Sequence, residues 1–171
     1  MLAERWRRWH ATDRRDFGLG GLITTDAWLA IAHHVAVFSL AGVLAAEWGL
    51  IRRGMATADI RRLARIDAAY GAVAAAVVIA GVSRVIWGAK PAEFYLESVT
   101  FWLKMAALAA VALLSIKPSI RYAGWRRALD EDPSALPSDQ AVGWARRMIN
   151  LEVAVFVLIP TFAALMARGI G

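Results

Sequence analysis

Apolar positions along this chain gather into four long blocks instead of recurring at the short spacing of a soluble fold. The blocks run roughly through residues 27–50, 68–88, 100–116 and 149–166, with charged stretches between them. A membrane-spanning helix needs about 20 mostly apolar residues at about 1.5 Å rise each, and all four blocks come close to that. The third is short if cut at Thr100, and Phe94, Tyr95 and Leu96 are candidates to extend it. Single, closely connected spans predict an all-α integral membrane protein, an up-and-down four-helix bundle with antiparallel neighbours.

The pattern divides the chain into a charged N-terminal segment, residues 1–26, and a four-span domain, residues 27–171. In the first, Leu2, Trp6 and Trp9 stand at helical spacing with arginines between them. That pattern fits a short amphipathic helix lying on headgroups, or else a charged tail. The string FGLGG then reads as a flexible join, and Thr25 or Asp26 as a cap for the first spanning helix. Farther on, LDEDPSALPSDQ marks an exposed loop of about a dozen residues between two helical extensions. Pro118 is placed to bend the third helix or to open a separate one, and Pro160 to kink the fourth. Gly42, Ala46, Gly71, Ala75, Ala76, Ala80 and Gly81 suggest faces where backbones approach closely, with the second helix central.

Composition sharpens this. Of 171 residues 59% are hydrophobic, and the mean hydropathy is +0.48. The absence of cysteine excludes disulfides, iron–sulfur clusters and thiolate metal sites. The N-terminal residues are charged throughout and lack the apolar core of a cleavable signal. A formal charge of +6 raises nucleic acid as a partner, but the arginines flank apolar spans, so anionic lipid headgroups are the expected partner and nucleic acid is set aside.

Those arginines also orient the chain. Arg52, Arg53, Arg61, Arg62 and Arg65 fall in the first connection, and Arg121, Arg126, Arg127, Arg146 and Arg147 in or near the third. The second carries Lys90 against Glu93 and Glu97. Basic connections stay on the cytoplasmic side, which places connections one and three inside a bacterial inner membrane and both termini in the periplasm. The arginines at 5, 7, 8, 14 and 15 run against this, partly offset by Glu4, Asp13, Asp16 and Asp26.

With that threading, two polar layers emerge. Lys104 lies about one turn, ~6 Å, inside the outer end of the third span. Arg84 holds a similar depth on the second, and His33 and His34 lie nearly two turns down the first. Tyr95, Glu93 and Glu97 hang just above. Towards the cytoplasm the polar residues are acidic: Glu47, Asp67 and Glu152. A plainer reading stands beside each layer. Lys104 and Arg84 can snorkel to water or pair with Glu93 or Glu97, and Asp67 and Glu152 can bond loop arginines. Each ionisable group at membrane depth costs about 3 kcal/mol on insertion scales, and cations on separate helices at one depth exceed what anchoring requires. The outer residues are therefore candidates to bind an anionic ligand or a cofactor.

Haem b is the cofactor to test. It needs an axial imidazole and cations for its propionates. His33 or His34 is the candidate ligand, but adjacent residues point about 100° apart on a helix, so one bundle uses only one of them. Bis-histidine ligation would need a homodimer, because no other span carries a histidine. His33 alone is a poor site for any other metal, and His10 lies outside the spans. No nucleophile–base pair, phosphate-cradling loop or spaced metal motif is present.

The strings ARIDAAYG, SRVIWGAKPAEFYLESVTFWLKM, LLSIKPSIRYAGWRR and IPTFAALMARGIG, with His33 and Glu47, resemble a family of bacterial four-helix inner-membrane proteins catalogued as a domain of unknown function. The resemblance covers roughly residues 27 to 171 and implies a fold and a location, not an activity. Pro91 stands where that family tends to have glycine, and the arginine-rich N-terminus lies outside its pattern. A looser similarity of layout, a histidine on the first helix and a lysine on the third, links the chain to membrane porphyrinogen oxidases and copper-resistance proteins. Three functions follow as expectations: a non-enzymatic binder of a small anion at His33, Arg84, Tyr95 and Lys104; a haem- or porphyrin-dependent oxidoreductase; or a structural subunit docking a membrane partner.

Overall fold

The computed structural model describes residues 19–169, with side chains from residue 25 onward. The expected interfacial helix around Leu2, Trp6 and Trp9, and His10 with it, lie outside the described residues. Six helices follow in order: α1 (Leu19–Leu50), α2 (Thr57–Trp87), α3 (Ala92–Leu96), α4 (Val99–Glu131), α5 (Asp139–Phe156) and α6 (Leu158–Ala167). They supply four stretches long and apolar enough to cross a membrane: Thr25–Leu50, Thr57–Trp87, Val99–Glu131 and Asp139–Ala167, with mean hydropathy between 1.9 and 2.0. The chain is an all-helical four-helix membrane bundle.

Its surface shows why. Trp28, Phe38, Ile79 and Leu113 point outward and exposed, an arrangement that is unfavourable in water and natural in hydrocarbon. Inside, Leu40, Leu44, Leu63, Val77, Leu129 and Ile149 form one continuous core.

The helices close into a ring. α1 packs on α2, α2 on α4, α4 on α5 and α6, and α5 returns to α1. No helix is central, against the expectation for α2. Named contacts fix the alternation of direction. At one end Asp26 Oδ1 of α1 accepts the Ala89 N–H at 3.0 Å, just beyond α2. At the other, Arg61 of α2 pairs with Asp130 of α4 and donates to the Leu129 carbonyl at 3.3 Å. There too Arg146 of α5 donates to the Trp48 carbonyl and, at 3.1 Å, to that of Ile51. The Trp48 indole N–H reaches Asn150 Oδ1 at 2.8 Å. Connections one and three therefore share an end, and α3 sits at the opposite one.

Several boundaries move. α1 already includes Leu19, Gly20 and Gly21, so that part of the expected join is helical, while Phe17 and Gly18 lie outside the described residues, and Asp26 serves the second connection instead of capping its own helix. α2 starts at Thr57, eleven residues before the apolar block, because hydropathy marks where lipid begins and not where a helix begins. Asp59 starts that helix: its Oδ2 accepts the Ala56 N–H at 3.3 Å and the Arg52 guanidinium at 3.0 Å. Gly54, at φ +69°, makes the tight turn before it, a conformation that disfavours any residue with a Cβ. Phe94, Tyr95 and Leu96 do not extend the third span; they belong to the separate helix α3. α4 runs unbroken past Pro118, which is buried inside it. The third loop shrinks to the residues between Glu131 and Asp139, where Asp132 accepts the N–H and hydroxyl of Ser134 at 2.8 and 2.7 Å. These bonds hold the Asp132 carboxyl below the usual carboxylate range. Near Pro160, α5 gives way to α6 at Val157, within the turn where proline supplies no N–H.

The small-residue faces do not lie where the spacing suggested. Gly42 and Gly71 have open space beside them, whereas Gly81 faces the His33 ring. At Gly81 the absence of a side chain admits the His33 ring, and at Gly88 it admits Asp26 Oδ1, which a Cβ there would meet at 3.2 Å.

Candidate functional site

At the end of the bundle near α3, the ring of His33 on α1 rests on Gly81 of α2. A Cβ at residue 81 would stand 3.4 Å from His33 Cε1. The His33 ring also meets the Val77 backbone, while its Nδ1 is buried with no hydrogen-bond partner. One turn along α2 from Gly81, Arg84 is half-buried and its Nε likewise has no partner. Lys104, half-buried on α4, holds its Nζ 5.2 Å from the centre of the Phe101 ring. The charges of Lys104 and Arg84 both act on the His33 imidazole, and that of Arg84 acts on Lys104. Three helices thus place basic groups within electrostatic reach of one another.

Two residues grouped with these by sequence stand apart. His34 is exposed, and its Nδ1 meets the Ala30 carbonyl of its own helix at 2.6 Å. Tyr95 is buried on α3 in a ring stack with Phe94 and Phe101, centroids 5.4 and 5.9 Å away. Tyr95 and Lys104 therefore meet the same Phe101 ring from two sides of the connection. Among the described residues, the ion pairs join Arg52 to Asp59, Arg61 to Asp130 and Arg126 to Asp130. Glu93 and Glu97 are exposed and pair with neither Arg84 nor Lys104.

The acidic layer is more deeply enclosed. Glu47 is 3% exposed and Glu152 1%. Asp67 is half-buried and accepts the Ser119 hydroxyl at 2.6 Å. Tyr70, three residues after Asp67 and on the same face of α2, lies with its hydroxyl beside Glu152. Tyr122, three residues after Ser119 on α4, is fully buried within electrostatic reach of all three carboxylates. Glu47 Oε1, Glu152 Oε1 and the Tyr122 hydroxyl have no hydrogen-bond partner. The loop arginines do not serve this layer, contrary to the plainer expectation. Arg146 is engaged with the end of α1 and stacks 4.2 Å over Trp48, and Arg121 stacks 3.9 Å over Trp144. Ser119, Tyr70 and Tyr122 were not singled out from sequence. The available signal was i, i+3 spacing from a polar residue at the depth of Glu152.

The residues present do not frame a haem. His34 faces out, bonded to its own helix, and the free edge of His33 lies in the contact between α1 and α2. Among the described residues no three imidazole or carboxylate groups converge to hold a metal ion.

Fold and polar layers together define a multi-pass membrane protein with ionisable groups enclosed at both ends of its bundle. Residues 25–171 match the family described as Predicted membrane protein (DUF2214), and the chain belongs to it. No curated protein and no solved structure matches the chain, so the looser similarity to porphyrinogen oxidases and copper-resistance proteins has no support beyond layout.

Proposed function

We propose that the layer of His33, Arg84 and Lys104 binds a small anion within the bundle, with Tyr95 bounding it from α3. One observation carries this reading: two half-buried cations on facing helices have no carboxylate partner among the described residues, beside a buried imidazole nitrogen that is also unpartnered. Cations held at membrane depth without counter-charge are unfavourable unless an anion joins them. The orientation that accompanies this reading puts the layer on the periplasmic side of a bacterial inner membrane. It rests on the arginines gathered at connections one and three, where anionic headgroups would meet them.

Titration of the protein, purified in detergent, with inorganic phosphate, acetate and chloride tests the proposal by calorimetry and thermal shift. Saturable binding of one of them, lost in Arg84→Met and Lys104→Met, is the expected result. Binding to anionic-lipid vesicles alone, unchanged by both substitutions, would instead mark a structural subunit that docks through its loops. A Soret band abolished by His33→Ala would replace the anion with haem.

A further inference from the structure

We infer that Glu47, Asp67 and Glu152, with Tyr70 and Tyr122, form a second site that binds and exchanges protons at the arginine-rich end of the bundle. The inference does not depend on the outer layer. Three carboxyl groups from α1, α2 and α5 lie within electrostatic reach of one another. Two are almost wholly enclosed, and no cationic side chain of the described residues pairs with any of them.

The groups packed around the cluster can be named helix by helix: Glu47 on α1, Asp67 and Tyr70 on α2, Ser119 and Tyr122 on α4, and Glu152 on α5. Every titratable group among them is an acid or a phenol. The guanidinium groups nearby, on Arg146 and Arg121, are turned to carbonyls and indole rings. A carboxylate in such surroundings must acquire a positive partner or stay neutral. Like-charged carboxyls sharing one enclosed space cannot all ionise together.

The orphaned atoms identify the partner. Glu47 Oε1 and Glu152 Oε1 are acceptors without a donor, and the Tyr122 hydroxyl has a proton and lone pairs but no neighbour engaged with either. A proton taken from bulk water onto a carboxylate oxygen removes the charge and turns that oxygen into an O–H donor. Its release to water restores the carboxylate. A metal ion would need several oxygens drawn round one point, and no such convergence exists among the described residues. Ser119 is bonded to Asp67 at 2.6 Å and Tyr70 lies beside Glu152, so the cluster is ordered and not merely a collection of acids.

Infrared difference spectra of the purified protein between acid and alkaline buffer test this, read at the C=O stretch of a protonated carboxylic acid and repeated in heavy water. The wild type should show a reversible band. Glu47→Gln and Glu152→Gln should each remove part of it, and the double substitution more than either alone, leaving what Asp67 and the exposed carboxyl groups contribute. Glutamine keeps the shape of the side chain, and size-exclusion elution confirms the fold. Should those variants fail to fold, Tyr70→Phe should shift the band by removing the hydroxyl from Glu152. Arg84→Met with Lys104→Met should leave the band intact even if anion binding is lost, which separates this site from the other. Identical spectra in the wild type and the double variant would overturn the inference. So would a band displaced by sodium or magnesium chloride in the wild type but not in the variants, since that would mark a metal-cation site.

Discussion

The hydroxyl of Ser119 donates to Oδ1 of Asp67 at 2.6 Å, tying α4 to α2 beside the buried acids. Hydrogen bonds between membrane helices contribute about 0.6 kcal/mol on average and up to about 1.7 kcal/mol. The short contact and the carboxylate acceptor put this one towards the upper end. Ser119→Ala should therefore destabilise the bundle by about 1 kcal/mol in denaturant-induced unfolding in detergent. Ser119→Thr, which keeps the hydroxyl, should recover most of the loss. Equal losses in both variants would mean that packing beside Pro118, not the bond, governs this position.

Arg146 should matter more. Its guanidinium caps the end of α1 through two carbonyls and lies over the Trp48 ring, closing the ring of helices between its first and last members. Two hydrogen bonds at about 1 kcal/mol each and a stacked cation at about 0.5–1 kcal/mol suggest a cost of about 2–3 kcal/mol for Arg146→Ala. Arg146→Lys should restore only part of this, because an ammonium cannot present a flat fork to two acceptors while stacking on indole. Unfolding midpoints of the three proteins would rank wild type above lysine above alanine.

How far these contacts could be foreseen depends on what sets them. The four spans were legible because lipid imposes apolar length directly on sequence. The extension of α4 past its apolar block was legible as well, from the helical run before the proline-rich loop, but the arginine-rich start of α2 was not, because a helix outside the membrane forms on capping and packing, signals that hydropathy does not carry. In the outer layer, depth along a helix set His33, Arg84 and Lys104 at one level, and the three groups lie within electrostatic reach of one another. Depth could not choose between His33 and His34, which differ in azimuth, and that choice was made by the gap at Gly81 on another helix. Glu47, Asp67 and Glu152 were visible as charges in apolar surroundings. Tyr70 and Tyr122 were not, since a tyrosine in such a run reads as core until opposing helices bring carboxyl groups within reach of it.

The turn between α1 and α2 yields a backbone prediction. Gly54 sits at φ +69°, where an L residue costs roughly 1–2 kcal/mol. A Cβ there would meet no neighbouring atom, so any penalty is conformational and not steric. Gly54→Ala should lower stability by about 1 kcal/mol, and Gly54→Asn by less, because asparagine tolerates the left-handed region. If alanine proves neutral by thermal unfolding, the turn adopts another conformation in solution.

The outer cations make opposite predictions with and without an anion. A snorkelling anchor is neutral or helpful to the bundle, so replacing it with methionine should do nothing or weaken it. Arg84 and Lys104 instead face each other's field without a carboxylate between them, and each charged residue at membrane depth is unfavourable by about 3 kcal/mol on insertion scales. In buffer free of binding anions, Arg84→Met and Lys104→Met should therefore each raise the unfolding temperature. Adding the anion identified by titration should stabilise the wild type by an amount that grows with the logarithm of its concentration and leave the double variant unmoved. The two melting curves should thus approach or cross as anion is added. A double variant less stable than the wild type at every anion concentration would assign both side chains to anchoring, and the outer layer would then hold no binding site.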